Sequence, residues 1–155
     1  MRPPVSAWVA LGANLGDAAQ SVRQAIADLT QHPEIAHLRA SRLYRSAPHQ
    51  AQGPEFVNAM VQFDTRLVAP VLLELLQSME QQAGRERPYH HAPRTLDLDL
   101  IFYGQARIQS PRLTLPHPRW QERAFVLAPL RDISPEQVDP SHWERVRDQT
   151  ISVLE

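Results

Sequence analysis

Leu96-Asp97-Leu98-Asp99-Leu100-Ile101-Phe102-Tyr103 is the stretch whose reading decides the fold. It is short and apolar and holds neither Pro nor Gly, which marks a strand. Side chains alternate faces along a strand. Leu96, Leu98 and Leu100 therefore point into a core, while Asp97 and Asp99 share the other face, ~6–7 Å apart by the strand rise. Two carboxylates on one rigid face cost folding energy unless something neutralises them. A divalent cation does so, and magnesium favours one or two carboxylates together with substrate phosphates. Alone, such a pair is equally well explained by a strand face turned to water. Arg85, Arg87 and Arg94 shift the balance, because they stand within a dozen residues of it. Guanidinium groups and cations bridged by phosphate oxygens account for this mixture better than direct pairing does. The chemistry indicated is phosphoryl transfer.

Upstream, Pro70 opens a helix over about 70–83, with Leu72, Leu73, Leu76 and Met79 as its apolar stripe and Gly84 at its end. Gln77 and Glu80 lie on one side of that helix, where spacing alone indicates a solvated face. Phe56 to Thr65 alternates as a strand, with Val57, Ala59, Val61 and Phe63 on one face and Phe56, Asn58, Met60 and Gln62 on the other. An aromatic ring and an amide on one face can stack a flat heterocycle and bond its edge, although a sheet face covered by a helix explains them at least as well. Ile35 to Tyr44 reads as another strand. Val22, Ile26 and Leu29 mark a helix over about 18–31 with Asp17 as N-cap. Val5 to Leu11 is a strand closed by Gly12-Ala13-Asn14-Leu15-Gly16. That run lacks the third glycine of a dinucleotide fingerprint, and a tight strand-to-helix turn accounts for its glycines better.

Downstream, Gly104 allows a turn into a short strand near 105–109. Pro111 to Pro118 is a loop, Trp120 to Leu130 a helix, and the tail beyond Pro135 has no assignment. The order is β-α-β-β-α-β with C-terminal additions. It predicts an α+β fold with a ferredoxin-like core, in which helices flank a central, mainly antiparallel sheet. Residues 1–155 read as a single domain.

The composition excludes several classes of function. A net charge of −1 gives no pull toward nucleic acid or an anionic membrane. No apolar stretch approaches a membrane span, and Met1-Arg2-Pro3-Pro4 does not begin a signal peptide. There is no cysteine, hence no disulfide or thiolate chemistry. These features lead to the expectation of a cytoplasmic protein. All 16 basic residues are arginine. Without lysine there is no Walker-type phosphate loop and no Schiff base. The seven histidines show no zinc spacing. One of them, His117, is held between Pro116 and Pro118, with Arg123 and Phe125 shortly after.

Taken in order, several segments resemble the 6-hydroxymethyl-7,8-dihydropterin pyrophosphokinase family. They are Val9-Ala10-Leu11-Gly12-Ala13-Asn14-Leu15-Gly16, Leu43-Tyr44-Arg45-Ser46, Phe56-Val57-Asn58-Ala59, Gly84-Arg85-Glu86-Arg87, Ala92-Pro93-Arg94-Thr95-Leu96-Asp97-Leu98-Asp99-Leu100 and Leu113-Thr114-Leu115-Pro116-His117-Pro118, followed by Arg123-Ala124-Phe125. The resemblance covers residues from about 5 to 132. Ser46 and Ala47 stand where the family often has Thr-Pro, and Phe56 where tyrosine is frequent.

The resemblance implies transfer of a pyrophosphoryl group from ATP to a pterin alcohol in folate biosynthesis. Asp97 and Asp99 would hold two Mg2+ ions. Arg85 and Arg94 would approach the transferring phosphates. Gln77, Glu80, Arg87, Leu100, Arg112, Thr114, His117 and Arg123 would line the ATP site. Asn58 would bond the pterin edge between Phe56 and Phe125, with Ser46 and Ala47 contributing backbone contacts. Segments 46–54 and 84–93 would close over the substrates. A monomer with no nucleic-acid or membrane partner is expected. Two other readings compete: a ferredoxin-like binding module without catalysis, and a different magnesium-dependent transferase built on the same aspartate pair.

Overall fold

The computed structural model describes residues 2–47, 54–84 and 96–154. In chain order they form β1 (Val5–Ala13), α1 (Ala18–Gln31), β2 (Ile35–Ala40), β3 (Tyr44–Ser46), β4 (Phe56–Thr65), α2 (Ala69–Gly84) and β5 (Asp97–Tyr103). The hairpin β6 (Ile108–Gln109) and β7 (Thr114–Leu115) follows, then α3 (Ala124–Ile133), α4 (Pro140–Val146) and β8 (Ile151–Val153). Three-residue 3-10 turns precede α3 and α4. The main sheet runs β5-β1-β4-β3-β8, with β2 also beside β4. Its pairs are antiparallel. This is the expected ferredoxin-like order with an added C-terminal strand. Among the described residues no helix is long and apolar enough to cross a membrane.

Local sequence explains most boundaries. The Asp17 carboxylate accepts the Gln20 N–H at 3.1 Å and starts α1. Val22, Ala25 and Leu29 on that helix are buried. The strand expected over 35–44 is broken into β2 and β3. His37 adopts φ 56°, and the register with β4 shifts between Ala36 and Arg39. Over the gap, the Ser41 hydroxyl accepts the Met60 N–H at 2.9 Å, so a side chain replaces a ladder carbonyl. The helix expected from Trp120 to Leu130 is a 3-10 turn followed by α3, because Arg123 is extended between them. Thr114–Leu115, expected in a loop, pairs with Ile108–Gln109.

The sheet has a core on each face. On one, α1 and α2 cover Val9, Leu11, Ala59, Val61, Phe63, Leu98 and Leu100. On the other, α3 covers Trp8, Ala10, Met60, Ile101 and Phe102. A bulge in β5 serves the second face. Val9 pairs with Leu100 but Trp8 pairs with Phe102, so Ile101 is the extra residue and joins Phe102 in the same core. Phe102 makes edge contacts with Trp8 and Trp120, at 5.6 and 5.0 Å between centroids. At its far end, α3 is fastened where the Trp8 indole donates to Ser134 Oγ, 2.9 Å away.

Asp132, near the end of α3, ties that helix to the start of β3. Its carboxylate accepts from the Arg42 backbone N–H at 3.1 Å, from Arg42 Nε at 3.2 Å and from Nη2 at 3.0 Å, and the Tyr44 hydroxyl lies 2.8 Å away. Burial pushes the Asp132 carboxyl up, but hydrogen bonds from Arg42 and Tyr44 outweigh it and hold the group below the ordinary carboxylate range. Asp132→Asn is expected to cost about 2 kcal/mol of stability, a typical loss for hydrogen bonds to a charged group. A carboxylate depressed in the folded state stabilises fully above its unfolded pKa, near 4, and loses that contribution as pH falls through the folded value. Denaturant titrations should therefore show the gap between wild type and variant narrowing below about pH 4. An unchanged gap there would show that the carboxylate charge is not what holds the joint.

Candidate active site

The aspartate strand, a glycine and an amide lie in one row across the sheet. Asp97 pairs with Gly12, Gly12 with Asn58, and Asn58 with Tyr44. The next row holds Asp99, Ala10 and Met60. All face the side that α3 covers. There, Ile101 and Phe102 are buried, whereas Asp97 and Asp99 remain half-buried. With β1 between them, the carboxylate and amide strands stand about 10 Å apart, twice the interstrand spacing.

Gly12 makes that separation usable. It lies inside β1, not in the turn expected for it. A Cβ there would stand 3.2 Å from Asn58 Nδ2. Its missing side chain leaves room for the amide. The turn belongs to Gly16, at φ 59°.

Asn58 is 4% exposed, and its Oδ1 accepts from the Ser46 hydroxyl at 2.6 Å. The family resemblance gave Ser46 a backbone role; its side chain also orients the amide. Phe56, half-buried, pairs with Ser46 at the end of β4, and exposed Ala47 follows.

His117 brings its loop to the aspartate strand. Its N–H donates to the Ile101 carbonyl at 3.0 Å, on the bulge. Its Nδ1 accepts the Arg119 N–H at 3.2 Å, so the proton of the neutral ring sits on Nε2. Burial pushes the imidazole pKa down; Asp99 pulls it up, while Arg123 and Arg119 lower it further. Asp99, His117, Arg119 and Arg123 thus share one electrostatic neighbourhood. The Arg123 guanidinium lies 5.4 Å from the centre of the Phe125 ring. Phe125 packs at the edge of the α3 core.

The other expected residues are more scattered. Gln77, Arg112 and Thr114 are exposed. Glu80 Oε2 accepts the Leu98 N–H at 2.8 Å, capping the outer edge of β5 between the two aspartates. The Leu100 side chain is buried in the α1/α2 core, so only its backbone can meet a ligand. Arg85, Arg87 and Arg94 lie outside the described residues, as do 48–53 and 85–93 of the expected closing segments.

The donor set fits magnesium. Among the described residues no three histidine or carboxylate side chains form a cage for a metal ion. Two carboxylates on one face supply oxygen ligands and leave positions for water and phosphate, as magnesium prefers.

The chain is similar to known proteins over most of its length. Residues 8–135 match the family described as 7,8-dihydro-6-hydroxymethylpterin-pyrophosphokinase. The chain is 44% identical over 134 residues to the 2-amino-4-hydroxy-6-hydroxymethyldihydropteridine pyrophosphokinase of Synechocystis sp., covering 86% of this chain and 69% of that one. It is 40% identical over 147 residues to the protein of the same name from Bacillus subtilis, covering 92% and 86%. In fold it resembles a crystal structure of Plasmodium falciparum HPPK-DHPS, at TM-score 0.67 and 14% identity, over 86% of this chain and 41% of the longer one. The chain therefore spans about two fifths of that solved protein, and the likeness there is of fold. With its sequence matched over most of its length, the chain belongs to the 7,8-dihydro-6-hydroxymethylpterin-pyrophosphokinase family.

Proposed function

We propose that the row Asp97–Gly12–Asn58 is the floor on which this enzyme brings its two substrates together. The chain is an ATP-dependent pyrophosphokinase that transfers the pyrophosphoryl group of ATP to the hydroxymethyl group of hydroxymethyldihydropterin in folate biosynthesis. The pterin hydroxyl attacks the β-phosphorus of ATP, the bond to the α-phosphate oxygen breaks, and AMP leaves. The observation that carries the assignment of residues is that Asp97, Asp99 and Asn58 share one face, with Gly12 between Asp97 and Asn58 leaving room for the amide.

In this reading Asp97 and Asp99 hold two Mg2+ ions, which when bound neutralise charge on the phosphates. Arg85 and Arg94 meet the transferring group as its charge redistributes. Arg87, Arg112, Thr114, Gln77 and Glu80 line the nucleotide side, with the Leu100 backbone. Neutral His117 offers its Nε2–H to an anionic oxygen, and Arg123 adds a full positive charge beside it. Ser46 holds the Asn58 amide, and Phe56 and Phe125 stack on the pterin with Ala47 at its rim. Positioning and electrostatics then carry the catalysis. The enzyme acts as a cytoplasmic monomer, a single domain over 1–155; the pairing of β8 into the same sheet as β1 supports the last point.

A coupled assay for AMP release from ATP, with and without the pterin alcohol, tests this function. Release only when both are present is expected. Binding without release would instead favour a non-catalytic module, and release with other acceptors a different transferase.

Asn58→Ala tests the pterin side. Unpaired polar atoms on the buried pterin edge cost about 1–3 kcal/mol, or roughly 5- to 150-fold in Kd. Titration calorimetry with a non-hydrolysable ATP analogue should show that loss with little change in nucleotide affinity. Unchanged pterin affinity would move the slot elsewhere.

A further inference from the structure

The C-terminal tail lies beyond the family match, which ends at residue 135, yet it touches both walls of the site. After α4, the Gln149 N–H donates to the Val146 carbonyl at 2.8 Å, which fixes the backbone of Gln149. Val146 itself is buried against Ala124 and Leu127. The Gln149 side chain then reaches back across the start of α3. Its Oε1 accepts the Ala124 N–H at 2.8 Å, and its Nε2 donates to the Glu122 carbonyl at 2.8 Å. One amide thus brackets Arg123 from both sides.

This is the joint at which Arg123 must be extended, at φ −128° and ψ 114°, between a 3-10 turn and a helix. A first-turn helix N–H and a last-turn carbonyl have no intrahelical partners, and no side chain within the joint supplies a cap. Gln149 supplies both from outside. It does so while exposed, so its hydrogen bonds are not a by-product of core packing. Two residues on, β8 begins and pairs with β3, placing Ile151 opposite Ser46 and Val153 opposite Tyr44. The same short segment therefore connects the turn that carries Arg123 and Phe125 to the strand that orients Asn58.

We propose that Gln149 is a positioning residue for the active site: its amide holds the 122–124 joint in the conformation that aims Arg123 at the nucleotide and Phe125 at the pterin. The inference rests on the proposed roles of Arg123 and Phe125. A glutamine side chain suits the task because it donates and accepts from one planar group. A carboxylate can satisfy Ala124 but not Glu122, and an apolar side chain can satisfy neither.

Steady-state kinetics and thermal unfolding of Gln149→Ala and Gln149→Glu, each alone and combined with Phe125→Ala, test this. Loss of two net hydrogen bonds at the joint should raise the pterin KM of Gln149→Ala roughly tenfold, with a parallel rise for ATP through Arg123 and a smaller change in kcat. Gln149→Glu, which keeps the bond to Ala124, should unfold close to wild type and still show raised KM values. In the Phe125→Ala background neither change should raise the pterin KM further. A lowered melting temperature with unchanged KM values would reduce Gln149 to a structural cap and overturn the proposal, as would full additivity with Phe125→Ala. If Phe125→Ala and Arg123→Ala themselves leave both KM values unaltered, the underlying site assignment fails, and the inference with it.

Discussion

Asp97→Ala or Asp99→Ala is expected to lower turnover by about 10³-fold while the protein still folds. Each removes one of the two carboxylates proposed to hold the metal, and metal stabilisation of phosphoryl charge is worth several kcal/mol. The fold survives because packing belongs to the alternate residues: Leu98 and Leu100 are each 4% exposed in the α1/α2 core, whereas both aspartates are half-buried. Magnesium-dependent AMP release and thermal unfolding, measured on the same samples, separate the two effects. Near-normal magnesium-dependent activity in either variant would remove the aspartates from the ligand set.

Gly12→Val is the second large effect, on the order of a 10²-fold loss of turnover, comparable to an ångström-scale misplacement of a reacting group. The Cβ alone would stand 3.2 Å from Asn58 Nδ2, so valine would push the amide proposed to bond the pterin out of its place. Valine suits a strand, but the buried amide must give way to it, so thermal unfolding is measured beside turnover. Gly16→Ala is the matching control. A Cβ at Gly16 meets nothing within 4 Å, but φ there is 59°, a conformation that costs an L-residue about 1–2 kcal/mol. That variant should lose stability and keep its pterin affinity. If Gly12→Val binds and turns over the pterin normally, the placement of the Asn58 amide beside Gly12 is not what recognises the substrate.

Much of this was legible in the sequence because the period of two holds along β4 and along β5 as far as Leu100. Leu98 and Leu100 against Asp97 and Asp99, and Val57, Ala59 and Val61 against Asn58 and Met60, fall on the faces that alternation assigns them. The first helix starts where its cap does, because the Asp17 contact is local. What escaped the sequence depends on partners far along the chain. The break between β2 and β3 is stabilised by Ser41 against Met60, and the α3 joint by Gln149. The clamp on Asp132 reaches back 90 residues to Arg42. No local pattern announces such contacts. Gly12 escaped for a different reason: a glycine beside a turn looks like part of the turn, and only the register with Asn58 shows that its missing side chain serves the neighbouring strand.

The bulge at Ile101 has a consequence for how this strand tolerates changes in length. Ordinarily, deleting one residue from a strand reverses every side chain beyond it. Here Leu100 already pairs with Val9 and Phe102 with Trp8, so loss of Ile101 alone would join two segments whose alternation is in step. Phe102 and Tyr103 would keep their faces and their partners. The casualties would be the buried Ile101 side chain in the α3 core and the carbonyl on which the His117 loop rests. β5 is one residue longer than its neighbour requires, and that surplus residue fastens the histidine loop to the strand that carries the aspartates.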